Sequence, residues 1–287
     1  MATRPPLKLL MLHGYTQSGP LFHAKSRALI KHITKAFPLH QISAIYPTGP
    51  LRLNPADIPG YSPQEGSGSG SGTNEDDEIE AYGWYRRSNT AEPPLYVGLQ
   101  DGLDTIAKVL GEEGPFDGVI GFSQGAAMAA MVVSLLEGAK RKDAFTQFAP
   151  SSSSFSGVEG FPYPASFAKL DHPALKFALC YSGFRSPGDR YRAFYESPPI
   201  QTPILHVLGS LDAVVEESRS RALIEACGGD PEGEGKVIWH PGGHFLPSQR
   251  PYLDAAVKFI TDLLEGGQQE DKNKAKEEDV HEMDLPF

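Results

Sequence analysis

Residues 116–138, FDGVIGFSQGAAMAAMVVSLLEG, constrain the fold more than any other part of this chain. FDGVIGF is a continuous apolar run of strand length, and AAMAAMVVSLLEG is a helical run of small and aliphatic residues. Between them Gly121-Phe122-Ser123-Gln124-Gly125 fits G-x-S-x-G. With 30 glycines in 287 residues the pattern alone is weak. The strand that runs into it and the helix that leaves it supply the context a nucleophile on a strand-to-helix turn requires. Such a turn is tight and strained, and it points the serine hydroxyl out of the sheet. Residues two before and two after the serine approach neighbouring backbone, so glycine at 121 and 125 leaves room there. The helix start beside Ser123 adds free N–H groups and a dipole that favour an anion.

Strands and helices alternate along the rest of the chain. LKLLMLHG (7–14), ISAIYPTGP (42–50), FALCYSG (177–183), PILHVLG (203–209) and KVIWHPGGH (236–244) read as strands running into turns. Residues 18–37, 98–114, 218–229 and 251–267 carry helical spacing or end at helix-stop residues. This alternation predicts an α/β fold with a mostly parallel central sheet and helices on both faces. No internal repeat or composition break divides it, so residues 1–264 are expected to form one domain.

A serine hydroxyl is a weak nucleophile until a base takes its proton. Of nine histidines, His244 is the candidate base: it follows a predicted strand in HPGGH, where glycines let a loop reach across the sheet top. His240 ends that strand, His206 lies mid-strand in PILHVLG and His13 sits in an HG turn; all three read as structural. Asp212 in GSLDAVV follows another strand, at the sheet edge where catalytic groups collect in open α/β folds, and is the candidate orienting acid. The chain order Ser123, Asp212, His244 is the one expected for an α/β-hydrolase. Two N–H donors must face the negative charge that develops on the substrate oxygen. Gln124, the residue after the serine, supplies one, and Tyr15 in the loop after the first strand is the candidate for the other.

Composition narrows the function classes. Residues 62–80 hold six acidic residues and no basic one, around the low-complexity tract SGSGSG, and read as a flexible insertion. Residues 265–287 hold eight acidic residues against three lysines and read as a charged, disordered tail. Together they account for the net charge of −10, so the body is near neutral and gives no reason to expect nucleic acid or an anionic membrane as partner. The two cysteines, Cys180 and Cys227, form no metal-spaced motif and read as free thiols. The apolar run LLML near the start is too short for a signal-peptide core or a membrane span. A soluble, cytoplasmic protein is expected. No HExxH motif or carboxylate cluster points to metal-dependent hydrolysis, and no metal is expected.

LMLHGYTQSG, YPTGPLRL, GWYRR, FDGVIGFSQGAAMA, FALCYSGF, HVLGSLDAVV and HPGGHFLP together resemble the FSH family of serine hydrolases, from about residue 7 to residue 264. The resemblance implies an α/β-hydrolase fold without a large cap domain, esterase or thioesterase activity and no cofactor. It implies Ser123, Asp212 and His244 as catalytic residues, with Tyr15 and Gln124 at the oxyanion positions. It also brings in one specific substrate class, a polyketide or other acyl thioester held on the carrier domain of a synthase in secondary metabolism. The residues themselves do not separate ester from thioester.

Two segments flank this chemistry. Trp84 and Tyr85 in AYGWYRR read either as core or as an apolar wall near the nucleophile; Arg86 and Arg87 read as offsetting the adjacent acidic run or as meeting an anionic substrate group. Residues 149–173 are too long for an ordinary connection. They are expected either to lie over the site, with Phe155, Phe161 and Tyr163 shaping an acyl pocket, or to form a surface loop. Two rival functions stand beside the hydrolase: a non-catalytic α/β-hydrolase serving as a small-molecule receptor or binding module, and a peptidase. The full set of candidate groups argues against the receptor.

Overall fold

The computed structural model describes residues 4–54, 57–58, 80–88, 90–149 and 158–283, with side chains to residue 266. Most of the acidic insertion and Phe155 lie outside these residues. The chain opens with β1 (Pro6–Leu12), α1 (Gly19–Ala36) and β2 (Gln41–Ile45). Four short strands follow: β3 (Leu51–Arg52), β4 (Tyr82–Gly83), β5 (Arg86–Arg87) and β6 (Tyr96–Val97). Next come α2 (Leu99–Glu113), β7 (Gly118–Phe122), α3 (Gln124–Leu135), α4 (Ala139–Gln147) and α5 (Ala165–Ala168). The chain continues through β8 (Phe177–Tyr181), β9 (Ile204–Gly209), α6 (Glu217–Glu225), β10 (Val237–His240) and α7 (Arg250–Met283).

Six strands form one sheet in the order β10-β9-β8-β7-β1-β2, and every pairing is parallel. Leu9 to Leu12 pair with Gly118 to Gly121, and Gly118 to Phe122 pair with Phe177 to Tyr181. The apolar runs behave as strands buried on both faces do. Leu7, Leu9 and Met11 of β1 pack with Phe22, Leu29 and Ile33 of α1 and with Ala256 and Ile260 of α7 on one face. Leu10 and Leu12 pack with the α2 and α3 residues on the other. All twelve residues of α3 are buried, which explains why its sequence is apolar all round.

Strand order places the site. The chain moves outward from β1 to β2, then returns to lay β7 on the other side of β1. The carboxyl ends of β1 and β7 therefore flank a topological switch point, where connections leave in opposite directions and a crevice opens. The loop starting at His13 leaves one strand there and Ser123 leaves the other.

The structure departs from the sequence reading in three places. Helix α4, AKRKDAFTQ, carries no apolar stripe, yet it folds over a buried Arg141 that bonds the Ala193 carbonyl and pairs with Glu137 at 3.1 Å. Phe161 and Tyr163 turn into the core, against Phe194 and Phe145, rather than toward the serine. The backbone of α7 stays helical past Gly267 to Met283, through the segment expected to be disordered. That segment holds four Glu, three Lys and two Gln, residue types that lose little freedom in a helix.

Candidate active site

Ser123 sits between β7 and α3 with φ 53° and ψ −116°, a conformation that side-chain-bearing residues seldom adopt. Close packing holds it there. A Cβ at Gly125 would meet the Leu12 carbonyl oxygen at 2.1 Å, and one at Gly121 would meet the Gly125 carbonyl oxygen at 2.3 Å. The Ser123 N–H donates to the Tyr181 carbonyl at 2.8 Å, which ties the turn to the neighbouring strand. Gln124 is the first residue of α3, and the first N–H groups of a helix have no partner within it.

Three distant segments meet at this turn. His244 Nε2 lies 2.9 Å from Ser123 Oγ, and His244 Nδ1 lies 2.8 Å from Asp212 Oδ2. Asp212 Oδ1 accepts the Val214 and Val215 N–H groups, each at 2.9 Å, so both carboxylate oxygens are engaged. Burial alone would raise the Asp212 carboxyl; the Val215 N–H, the His244 ring and the Val214 N–H outweigh it and hold the carboxyl below its ordinary value. The imidazole stands beside the Phe122 ring at 4.9 Å between centroids. A proton on Nδ1 facing Asp212 leaves Nε2 free to accept from the serine hydroxyl.

The three other histidines weighed from the sequence, His13, His206 and His240, are structural. His13 is fully buried; its Nε2 accepts the Gly49 N–H at 2.8 Å and its Nδ1 bonds the Gly14 carbonyl. Burial pushes its pKa down to about 4, against the opposing pull of that carbonyl. Burial likewise takes His206 down to about 3. His240 packs against Phe245 and Tyr252.

The GWYRR segment backs the site as core. Trp84 and Tyr85 are buried, and Trp84 Nε1 donates to the His13 carbonyl at 2.9 Å. Gln124 Oε1 accepts the Trp84 N–H and Gln124 Nε2 donates to the Tyr85 carbonyl, both at 2.8 Å. Arg86 pairs with Asp57 at 3.0 Å. Tyr15 follows β1, with its ring near Gly83 and its hydroxyl donating to the Asp57 carbonyl at 3.3 Å.

A cleft of about 550 Å³ opens over Ser123 and His244. Phe22, Ile58, Phe122, Val214, Phe245 and Leu246 supply apolar walls, and Lys25 also lines it. Sequence reasoning missed Phe22, Lys25, Val214 and Phe245 as cleft residues. No local signal marks them, because they come from α1 and two separate loops that only the fold brings together.

A parallel sheet in this strand order, with a serine on the turn after β7 and an imidazole within reach of its hydroxyl, defines the class: a serine hydrolase of α/β-hydrolase fold. Residues 1–256 match the family model described as serine hydrolase (FSH1), and the chain belongs to that family. It is 32% identical over 263 residues to the esterase OVCA2 of Danio rerio, a match that covers 89% of this chain and 96% of that one. It is 31% identical over 255 residues to a Schizosaccharomyces pombe protein named dihydrofolate reductase, covering 89% of this chain. There the chain spans about half, 47%, of the relative's length. The solved structure of Zea mays acyl-protein thioesterase 2 shares the fold, with a TM-score of 0.54 at 19% identity over 91% of this chain and 95% of that one. Among the described residues no helix is long and apolar enough to cross a membrane.

Proposed function

We propose that the chain hydrolyses carboxylic esters or thioesters through an acyl-enzyme on Ser123. The observation that carries this reading is the relay from Ser123 Oγ through His244 to Asp212, at 2.9 Å and 2.8 Å. Ser123 Oγ attacks the carbonyl carbon as His244 Nε2 takes its proton. The tetrahedral oxyanion is held by the Tyr15 and Gln124 N–H groups. His244 returns the proton to the leaving oxygen or sulfur, and the acyl group stays on Ser123. Water then repeats the sequence, with His244 again as base, and frees the acid. Asp212 remains ionised throughout and stabilises the imidazolium.

The finer reading is release of a polyketide or other acyl product from the carrier domain of a synthase, in secondary metabolism; it rests on the family. The same reading puts the chain in the cytoplasm, where the free thiols of Cys180 and Cys227 suit a reducing compartment. The name dihydrofolate reductase belongs to a relative of which this chain matches less than half, and no reductase activity is carried over.

A chain-length series of p-nitrophenyl esters and matching thioesters tests the reaction. Turnover is expected with the native protein, and Ser123→Ala and His244→Ala are each expected to lower kcat by roughly a thousandfold or more. Turnover that survives in both variants would overturn the proposal.

A further inference from the structure

The cleft over Ser123 joins apolar walls to the ammonium of Lys25. Among the described residues Lys25 has no carboxylate partner, whereas Lys8, Lys176, Lys236 and Lys258 each have one. Among the described residues, the carboxylates of Asp212 and Asp57 next to the cleft are already committed. Asp212 holds His244 and two backbone N–H groups, and Asp57, next to the lining residue Ile58, pairs with Arg86.

Helix α1 supplies no acidic residue to offset this charge. From Gly19 to Ala36 it carries Lys25, Arg27, Lys31 and Lys35, all exposed, and no Asp or Glu. With no acid on its own helix, the Lys25 ammonium is a local positive charge at the mouth of the site. A cleft with low-dielectric walls focuses the field of such a charge and raises the local concentration of anions. An ammonium is a compact point charge that accepts phosphate or carboxylate alike, without the planar fork an arginine imposes.

We propose that Lys25 selects anionic substrates: esters or thioesters that carry a phosphate or carboxylate, which meets the Lys25 ammonium while the scissile carbonyl lies at Ser123. This rests on the hydrolytic reading of the site. The contact is made before and during reaction alike, so its effect belongs in KM and kcat/KM rather than in kcat.

Two matched substrate pairs locate the charge. Thioesters of pantetheine and of phosphopantetheine differ by a phosphate on the leaving group. Aryl esters with a methyl-capped or a free terminal carboxylate differ by a charge on the acyl group. The native protein is expected to favour the anionic member of at least one pair by about fivefold in kcat/KM, through KM. The preference is expected to shrink as ionic strength rises from about 0.02 M to about 0.5 M. Lys25→Gln should bring the ratio close to one, Lys25→Glu should push it below one, and Lys25→Arg should keep it. A native ratio near one in both pairs, or a preference that persists in Lys25→Glu, overturns the proposal. Calorimetric binding of the corresponding non-hydrolysable amides to Ser123→Ala makes the same comparison without turnover. Failure of the hydrolytic reading is thereby told apart from failure at Lys25.

Discussion

Gln124 and Trp84 are tied by a 2.8 Å hydrogen bond from the Trp84 backbone N–H to the Gln124 side chain, and the same side chain donates to the Tyr85 carbonyl at 2.8 Å. The residue that follows Ser123 thus satisfies two buried backbone groups on the segment behind it. Gln124→Ala leaves both without a partner, and a buried unsatisfied group costs about 1–3 kcal/mol. Urea unfolding is expected to show a loss of about 2 kcal/mol or more for this variant, with little change in m-value. A loss below about 0.5 kcal/mol would mean that water or a shifted side chain replaces the contact.

The turn has no space for a methyl group at Gly125. Its Cβ would lie 2.1 Å from the Leu12 carbonyl oxygen and 2.5 Å from that of His13, both main-chain atoms of the strand end and loop that hold the site. Main chain inside a parallel sheet cannot swing aside as a side-chain tip can. Gly125→Ala is expected to destabilise by about 3 kcal/mol or more, read as a fall in the thermal midpoint. A variant as stable as the native protein would contradict the packing described at this turn.

Acid should weaken the fold before it titrates the carboxylates. His13 and His206 are buried, with pKa values lowered from 6.5 to about 4 and about 3. Below about pH 6.5 the unfolded chain protonates both while the folded chain leaves them neutral. The unfolded state then binds more protons, and stability falls as pH drops through that window. Each histidine contributes at most about 1.4 kcal/mol per pH unit. Asp212 acts lower on the scale: its depressed pKa adds stability that is present above its unfolded value near 3.8 and lost as pH falls below it. Unfolding free energies between about pH 5 and about pH 6 should slope less steeply for His206→Gln than for the native protein. Equal slopes would contradict a neutral His206 in the folded chain.

Much of this architecture was legible in the sequence because its key elements are buried on all sides. Strand β7 and helix α3 had to be apolar throughout, and Gly121 and Gly125 had to be glycine, so the turn at Ser123 announced itself. Asp212 and His244 each follow a strand, and a parallel sheet brings such positions to one edge. The remainder depends on tertiary context. Helix α4 hides behind a polar sequence because its buried face is built on Arg141, whose charge is met by Glu137, by the Ala193 carbonyl of the 3-10 turn at Asp189–Phe194 and by the Glu196 carbonyl just after it. The pairs β3–β4 and β5–β6 are two residues per strand, too short to show a period. Lys25 reads as one more exposed helix residue until α1 is placed beside the carboxyl ends of β1 and β7.

Labelling with a fluorophosphonate, read as intact mass on the native protein beside Ser123→Ala, tests the central claim most directly. A single adduct on the native chain that is absent from the variant is the predicted result, since only a serine activated by His244 and reachable from the cleft reacts this way. A well-folded native protein that takes no adduct, or a variant that still takes one, would contradict Ser123 as nucleophile and turn attention to a receptor or binding module on the same fold.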